Sequence, residues 1–317
     1  MILVTGATGM LGAHFLLHLA QQGKAVRGFY RSDHGIEEVK RFFKAKNSAA
    51  LFEAVQWVGT ELYRIETLDK ALDGCTSVIH CAALVSFDRK DRKQLYHSNV
   101  LTTRILVDAL IEKKIGITLI SSIAAENEGS TSYYGYTKYL SELEVHRGAQ
   151  EGIANSIIRP GVILGSHFWK RPSGRVIRNL CRPFVKVPTG KTGWVSADAV
   201  VKCSLLATEK LNSQTVTLVA ANLSYFELAT KISSLVGNKV SKQPIKKSIL
   251  QLAGWLEFLA SLITQKKRKL TPEIIDAMCN SSEYELITDQ KEFEGLAIDS
   301  FENDLKEIVT AYTHQKR

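Results

Sequence analysis

Apolar positions along this chain fall into two kinds of run. Ile2 to Val4 form a short unbroken stretch, followed by a glycine-rich turn. Leu11, Phe15, Leu16 and Leu19 then recur at helical spacing, Gly23 follows as a stop, and residues 25–30 (AVRGFY) make a second compact run. Unbroken apolar runs suit strands buried on both faces, and a 3.6-residue period suits a helix laid against them. The order is strand, turn, helix, strand.

The alternation continues. Residues 54–62 (AVQWVGTEL), 76–87 (TSVIHCAALVSF), 116–122 (GITLISS) and 154–165 (ANSIIRPGVILG) read as strands with their exit loops. Between them, residues 66–74, 98–113 and a stretch from near Tyr134 to Gly152 read as helices. After Ser166 the pattern loosens: residues 171–195 are loop-rich and basic, 196–210 and 214–220 add one helix and one strand, and the chain from Asn222 is mostly helical. Strands alternating with helices predict an α/β protein with a doubly wound parallel (Rossmann) sheet and a smaller, mostly helical C-terminal lobe. Ligands of such sheets sit beyond the carboxyl ends of the strands.

The first turn carries Gly6, Gly9 and Gly12 between a strand and a helix. A pyrophosphate needs backbone amides that approach without a Cβ in the way, and a helix N-terminus facing the anion. An acid that holds a ribose 2′-hydroxyl is expected about 20 residues further on. Tyr30, Arg31 and Ser32 stand there instead. An arginine at that place suits the 2′-phosphate of NADP, while the nearby Asp33 leaves NAD open.

A second constellation lies at SSIAAENEGSTSYYGYTK, from Ser121 to Lys138. Residues four apart share a helix face. Tyr134 pairs with Lys138 at that spacing, whereas Tyr133 meets Thr137 and Tyr136 meets Leu140. A lysine beside a phenol is expected to lower its pKa from roughly 10 and make it a usable acid–base group.

The turn VTGATGMLG, a serine at a strand end and Tyr-x-x-x-Lys together resemble the extended short-chain dehydrogenase/reductase family, strongly to Gly165 and loosely beyond. The resemblance implies a catalytic triad of Ser122, Tyr134 and Lys138: Ser122 bonding the substrate oxygen, Tyr134 exchanging the proton, and Lys138 holding the nicotinamide ribose. It implies cofactor contacts at Gly6, Thr8, Gly9, Met10, Leu11, Gly12, Arg31, Ser32, Glu61, Leu62, Cys81, Ala82, Ala83, Asn99, Pro160, Gly161 and Val162, with Tyr134 and Lys138. Residues 1–165, continued by 196–221, would form the dinucleotide-binding domain; 166–195 and 222–317 would form the substrate lobe. A homodimer through the helices after the fourth and fifth strands would follow the family habit.

Ile123 and Ala124 follow Ser122 where sugar dehydratases place an Asp–Glu pair. The run VRGFYRS is nearer to dihydroflavonol 4-reductase-like members. The expected activity is NADP-dependent reduction of a ketone or aldehyde, or oxidation of the alcohol. An NAD-dependent sugar-nucleotide epimerase is the alternative, and a non-catalytic dinucleotide-binding regulator a further one. Only eleven residues separate Ser122 from Tyr134, which leaves the substrate unnamed.

Composition changes this picture in one place. Of 317 residues, 45% are apolar and 23% charged, as in ordinary globular proteins. Five cysteines without metal-ligand spacing predict no metal site and a reduced, cytoplasmic setting, and the N-terminus has no signal-peptide pattern. The net charge is +9, yet residues 239–269 hold eight basic residues against the single acid Glu257. The rest of the chain is nearly neutral, which excludes a global nucleic-acid footprint. Within this stretch Ile249 to Ile263 is apolar and, at 15 residues, too short to span a bilayer. It reads either as a lobe helix that covers the pocket or packs on a partner subunit, or as a helix in weak contact with an anionic membrane surface.

Overall fold

The computed structural model describes the chain except residues 60–63, 212, 265–266, 294–298 and 317. The first half runs β1 (Ile2–Thr5), α1 (Met10–Gln21), β2 (Val26–Tyr30), α2 (Asp33–Ala45), α3 (Ala49–Phe52), β3 (Gln56–Gly59), α4 (Ile65–Leu72), β4 (Ser77–His80), α5 (Arg92–Leu95), α6 (Thr102–Lys113), β5 (Gly116–Ile120) and α7 (Tyr133–Gln150). There follow β6 (Asn155–Pro160), β7 (Val162–Leu164), α8 (Pro172–Leu180), β8 (Phe184–Val185), β9 (Lys191–Ser196), α9 (Ala197–Lys210), β10 (Gln214–Leu218), β11 (Ala221–Ser224), α10 (Tyr225–Val236), β12 (Lys239–Val240), α11 (Lys247–Thr264), α12 (Pro272–Cys279) and α13 (Phe301–Lys316).

Seven strands form one sheet in the order β10–β6–β5–β4–β1–β2–β3, every pair parallel. Every residue of β4 and β5 is buried, as the unbroken apolar runs require. One core packs α1, α2 and α9 on one face of the sheet. A second packs α4, α6 and α7 on the other. A third lies among α8, α10 and α13 and the small strands.

The structure departs from the pattern reading in three places. Residues 33–45, left without an element, form α2: Val39, Phe42 and Phe43 are buried and Ile36 packs beside them, a helical period inside a charged run. The stretch expected to be loop holds α8, β8 and β9. The C-terminal region is not only helical, because β11 pairs with β9 and β12 with β8. These short strands are set by partners far along the chain, so local pattern does not announce them.

α11 keeps only a narrow inner face on the protein, through Leu250, Gly254 and Ser261. Ile249, Leu252, Trp255, Leu256, Phe258 and Leu259 are exposed. Its apolar residues go all the way round, and the chain covers one side only, which leaves a partner subunit and a membrane surface as the readings for the outer face. No described helix is long and apolar enough to cross a membrane.

Candidate active site

The sheet order reverses between β1 and β4, and the glycine turn stands at that point. Gly6 has φ +64°, and a Cβ there would lie 2.8 Å from the backbone of Ala82. A Cβ on Gly12 would run into the Gly6 carbonyl oxygen. Both positions need glycine so that α1, the turn and the exit of β4 can close on one another. Gly9 caps α1 without a side-chain hydrogen bond, and the first turn holds no acid. The first N–H groups of α1 are thus left to an anion, which fits a dinucleotide pyrophosphate.

Neighbouring positions gather around this turn. Cys81 N–H donates to the Thr5 carbonyl at 3.3 Å and Ala82 N–H to Thr5 Oγ1 at 3.3 Å, so Cys81–Ala83 leave β4 directly beneath Gly6. Thr8 packs on Gly35 of α2, where a Cβ would stand 2.6 Å away. Met10 is buried against Gly165, and Leu11 packs on the core. Arg31 and Ser32 are exposed at the end of β2. Asp33 bonds the Tyr30 hydroxyl, and burial and that carboxylate both push the phenol up. Glu61 and Leu62 lie outside the described residues. Pro160 ends β6, Gly161 N–H donates to Leu218 O at 2.9 Å, and a Cβ on Gly161 would meet the Gly193 carbonyl at 2.6 Å. Val162 then pairs with Trp194 in the small sheet.

Ser122 leaves the carboxyl end of β5 and accepts the Ala124 N–H at 3.1 Å, which keeps its own O–H free to donate. Ser132 caps α7 by accepting the Gly135 N–H at 3.0 Å. Gly135 has no Cβ, so the first turn of α7 can press on the Ala124 carbonyl and bring Tyr134 to Ser122. Burial pushes the Tyr134 hydroxyl up to about 12, against the pull of the Ser122 hydrogen bond. Lys138 is 2% exposed, and its Nζ donates to the Ile120 carbonyl at 2.8 Å. Burial brings its ammonium down to about 8, while Glu142 and Cys81 hold it up. The expectation that Lys138 lowers the Tyr134 pKa is thereby corrected: burial dominates both groups, and the phenol keeps its proton at neutral pH.

Pattern reasoning passed over four residues here. Glu142, one turn beyond Lys138, is 1% exposed and accepts from Ser121 at 2.5 Å and from Arg159 Nε and Nη2 at 2.9 and 2.5 Å. The spacing Tyr134–Lys138–Glu142 was its available signal. Arg159 comes from β6, so its part is set by the sheet and not by spacing. Gly135 is one. The last is Phe87, whose ring lies 5.7 Å from the Tyr134 ring, edge-on.

Asn99 ties α7 to the exit of β4. It exchanges hydrogen bonds with Leu84 N and O at 2.7 and 3.0 Å, and donates to Thr137 Oγ1 at 3.0 Å. Its amide is spent on the protein, which makes it a positioning group. It also belongs to a longer line with one direction. Thr137 Oγ1 donates to Tyr134 O at 2.8 Å, and Thr103 Oγ1 to Asn99 O at 2.6 Å. Thr103 must therefore accept from His80 Nε2 at 3.0 Å, and His80 Nδ1 must accept from Thr5 Oγ1 at 2.6 Å. Burial holds His80 down to about 3, consistent with the neutral ring this requires.

A cleft of about 1190 Å³ runs between α2, His167–Lys170 and α13, and none of Ser122, Tyr134 or Lys138 lines it. Among the described residues no three metal-ligating side chains converge.

The description of the NAD dependent epimerase/dehydratase family matches residues 2–219. A Synechocystis sp. protein named "Putative dihydroflavonol 4-reductase" is 29% identical over 197 residues, 56% of this chain and 54% of that protein. Sterol demethylase protein B of Methylococcus capsulatus is 29% identical over 229 residues, 66% of each chain. The matched segment thus spans about half to two thirds of these curated relatives. The UDP-glucuronic acid 4-epimerase of Bacillus cereus, solved in complex with NAD, superposes with a TM-score of 0.74 at 16% identity, over 100% of this chain and 99% of that one.

Proposed function

The chain belongs to the NAD dependent epimerase/dehydratase family, and from that premise we propose that it is an NADP-dependent reductase of a ketone or aldehyde, working reversibly on the alcohol. The observation that carries this reading is the neutral Tyr134 hydroxyl held against Ser122 at the carboxyl end of β5. A phenol that keeps its proton is a donor suited to a carbonyl oxygen that gains negative charge.

The glycine turn and the first turn of α1 would hold the pyrophosphate, and Arg31 the 2′-phosphate. Asp33 is engaged by Tyr30, which leaves the arginine as the charged group offered at that strand end. When bound, the dinucleotide supplies the hydride and stores it again in the reverse direction. Ser122 donates its O–H to the substrate oxygen, and Tyr134 delivers the proton to the same atom. An ammonium has three donors and Ile120 takes one from Lys138, so two remain for the nicotinamide ribose. Glu142 keeps that ammonium charged. The segments 166–195 and 222–317 would close over the substrate, and Phe87 would shape the mouth beside Tyr134. Pairing of two copies through α6 and α7 belongs to the same reading, supported by the exposed Tyr136 and Leu143 on α7.

Nucleotide fluorescence titration tests this. NADPH should bind at least tenfold tighter than NADH, and Arg31→Ala should erase the difference. A preference for NADH, or indifference to Arg31→Ala, would overturn the cofactor assignment and bring sugar nucleotides forward as substrates.

A further inference from the structure

α11 runs about 27 Å and presents large apolar side chains to solvent along its length. Leu252, Trp255 and Leu256 are 59%, 57% and 54% exposed, and Ile249 and Leu259 continue the same side. A contiguous exposed apolar face of this kind marks an interaction surface.

Charge surrounds it. Lys242, Lys246 and Lys247 stand at its start and Lys267, Arg268 and Lys269 just beyond its end. Among the described residues, Lys242, Lys246 and Lys269 make no ion pair, and Lys267 stays 66% exposed beside Asp91. The one acid of the stretch is turned inward: Glu257 accepts the backbone N–H of Lys269 and Leu270 at 2.9 and 2.7 Å. The occupant must therefore offer apolar depth and negative charge together. A second copy laid against this face would bring the same lysines onto one another. An anionic bilayer offers both, with apolar side chains below the headgroups and lysines among them.

We propose that α11 docks this protein on an anionic membrane surface. The docked helix is fixed to the candidate site. Arg268 N–H donates to Asp88 at 2.9 Å, and Lys267 pairs with Asp91 at 2.9 Å. Those two acids lie just after Phe87, whose ring packs on Tyr134. The mouth of the site then lies beside the lipid surface.

Co-sedimentation with vesicles tests this. Equal parts of phosphatidylcholine and phosphatidylglycerol are compared with phosphatidylcholine alone, at low and physiological salt. The expected result is binding to the anionic vesicles, at least tenfold weaker to the neutral ones, and weakened by salt. Trp255 is the exposed one of four tryptophans, so its emission should shift to the blue on binding. Leu252→Ser with Leu256→Ser, and separately Lys242→Glu with Lys246→Glu, should each lose at least tenfold in binding while nucleotide titration stays unchanged. No sedimentation with anionic vesicles at either salt would overturn the proposal. So would binding indifferent to both double variants, or a mass in solution that halves in Leu252→Ser with Leu256→Ser, which would make the face a contact between copies.

Discussion

Glu142 and Arg159 meet as a two-pronged ion pair directly beyond Lys138 on α7, with Ser121 as a third partner of the same carboxylate. Arg159 is raised by this hydrogen bond, and the carboxylate also holds the Lys138 ammonium up against burial. Glu142→Gln keeps the shape and removes the charge. Removing one partner of a largely buried pair should cost about 3–5 kcal/mol, in denaturant unfolding. Reductase activity should fall as pH rises through about 8, where Lys138 gives up its proton. In Glu142→Gln that limb should move to lower pH. An unmoved limb would detach Lys138 from the pH profile.

Tyr134→Phe removes the proton donor and keeps the ring that Phe87 packs against. Carbonyl reduction should drop by roughly 10²–10⁴-fold. NADPH affinity, read by fluorescence, should stay within about twofold, because the glycine turn is untouched. Retained turnover would pass the acid role to another group.

Lys138 also links stability to pH. Its folded pKa is lowered to about 8 from 10.5, so the unfolded chain binds more protons between those values. Stability should therefore rise as pH increases from about 8 to 10.5, where the penalty for a buried charge disappears. Lys138→Met has no such titration. The difference in unfolding free energy between the two proteins should change by roughly 2–3 kcal/mol across that window, in the wild type's favour. A difference that does not change with pH would mean that the ammonium is hydrated.

Gly12→Ala and Gly135→Ala place a methyl against the Gly6 and Ala124 carbonyls respectively. Each should cost about 1–3 kcal/mol through overpacking. Their functional readouts should separate. Gly12→Ala should weaken NADPH binding at least tenfold. Gly135→Ala should spare binding and lower turnover, because it pushes Tyr134 away from Ser122. Equal losses in both readouts for both variants would argue for general unfolding.

Much of this was legible along the chain, for a local reason. The turn from Gly6 to Gly12 and the Tyr134–Lys138 pair depend on residues close in sequence, where spacing translates directly into geometry. α2 was legible too, through Ile36, Val39, Phe42 and Phe43, but its polar majority masked the period. Glu142 could not be read as buried and paired, since its partner arrives from β6 and its burial from α7 packing on the sheet. The Tyr134 pKa is not legible in spacing for the same reason: spacing reports that a lysine is near, and only packing reports how little water remains.

The line of hydrogen bonds from Thr5 through His80, Thr103, Asn99 and Thr137 to the Tyr134 carbonyl has a consequence for how the molecule breathes. Every proton in it has one acceptor, Asn99 giving its two to Leu84 O and Thr137 Oγ1, so no member can turn aside without stranding its neighbour in a buried setting. The strand that carries the glycine turn and the helix that carries the tyrosine thus open to solvent as a unit. In hydrogen exchange the amides of β1, β4 and the first turns of α7 should share one opening free energy, above that of α11, whose backbone has water on most sides.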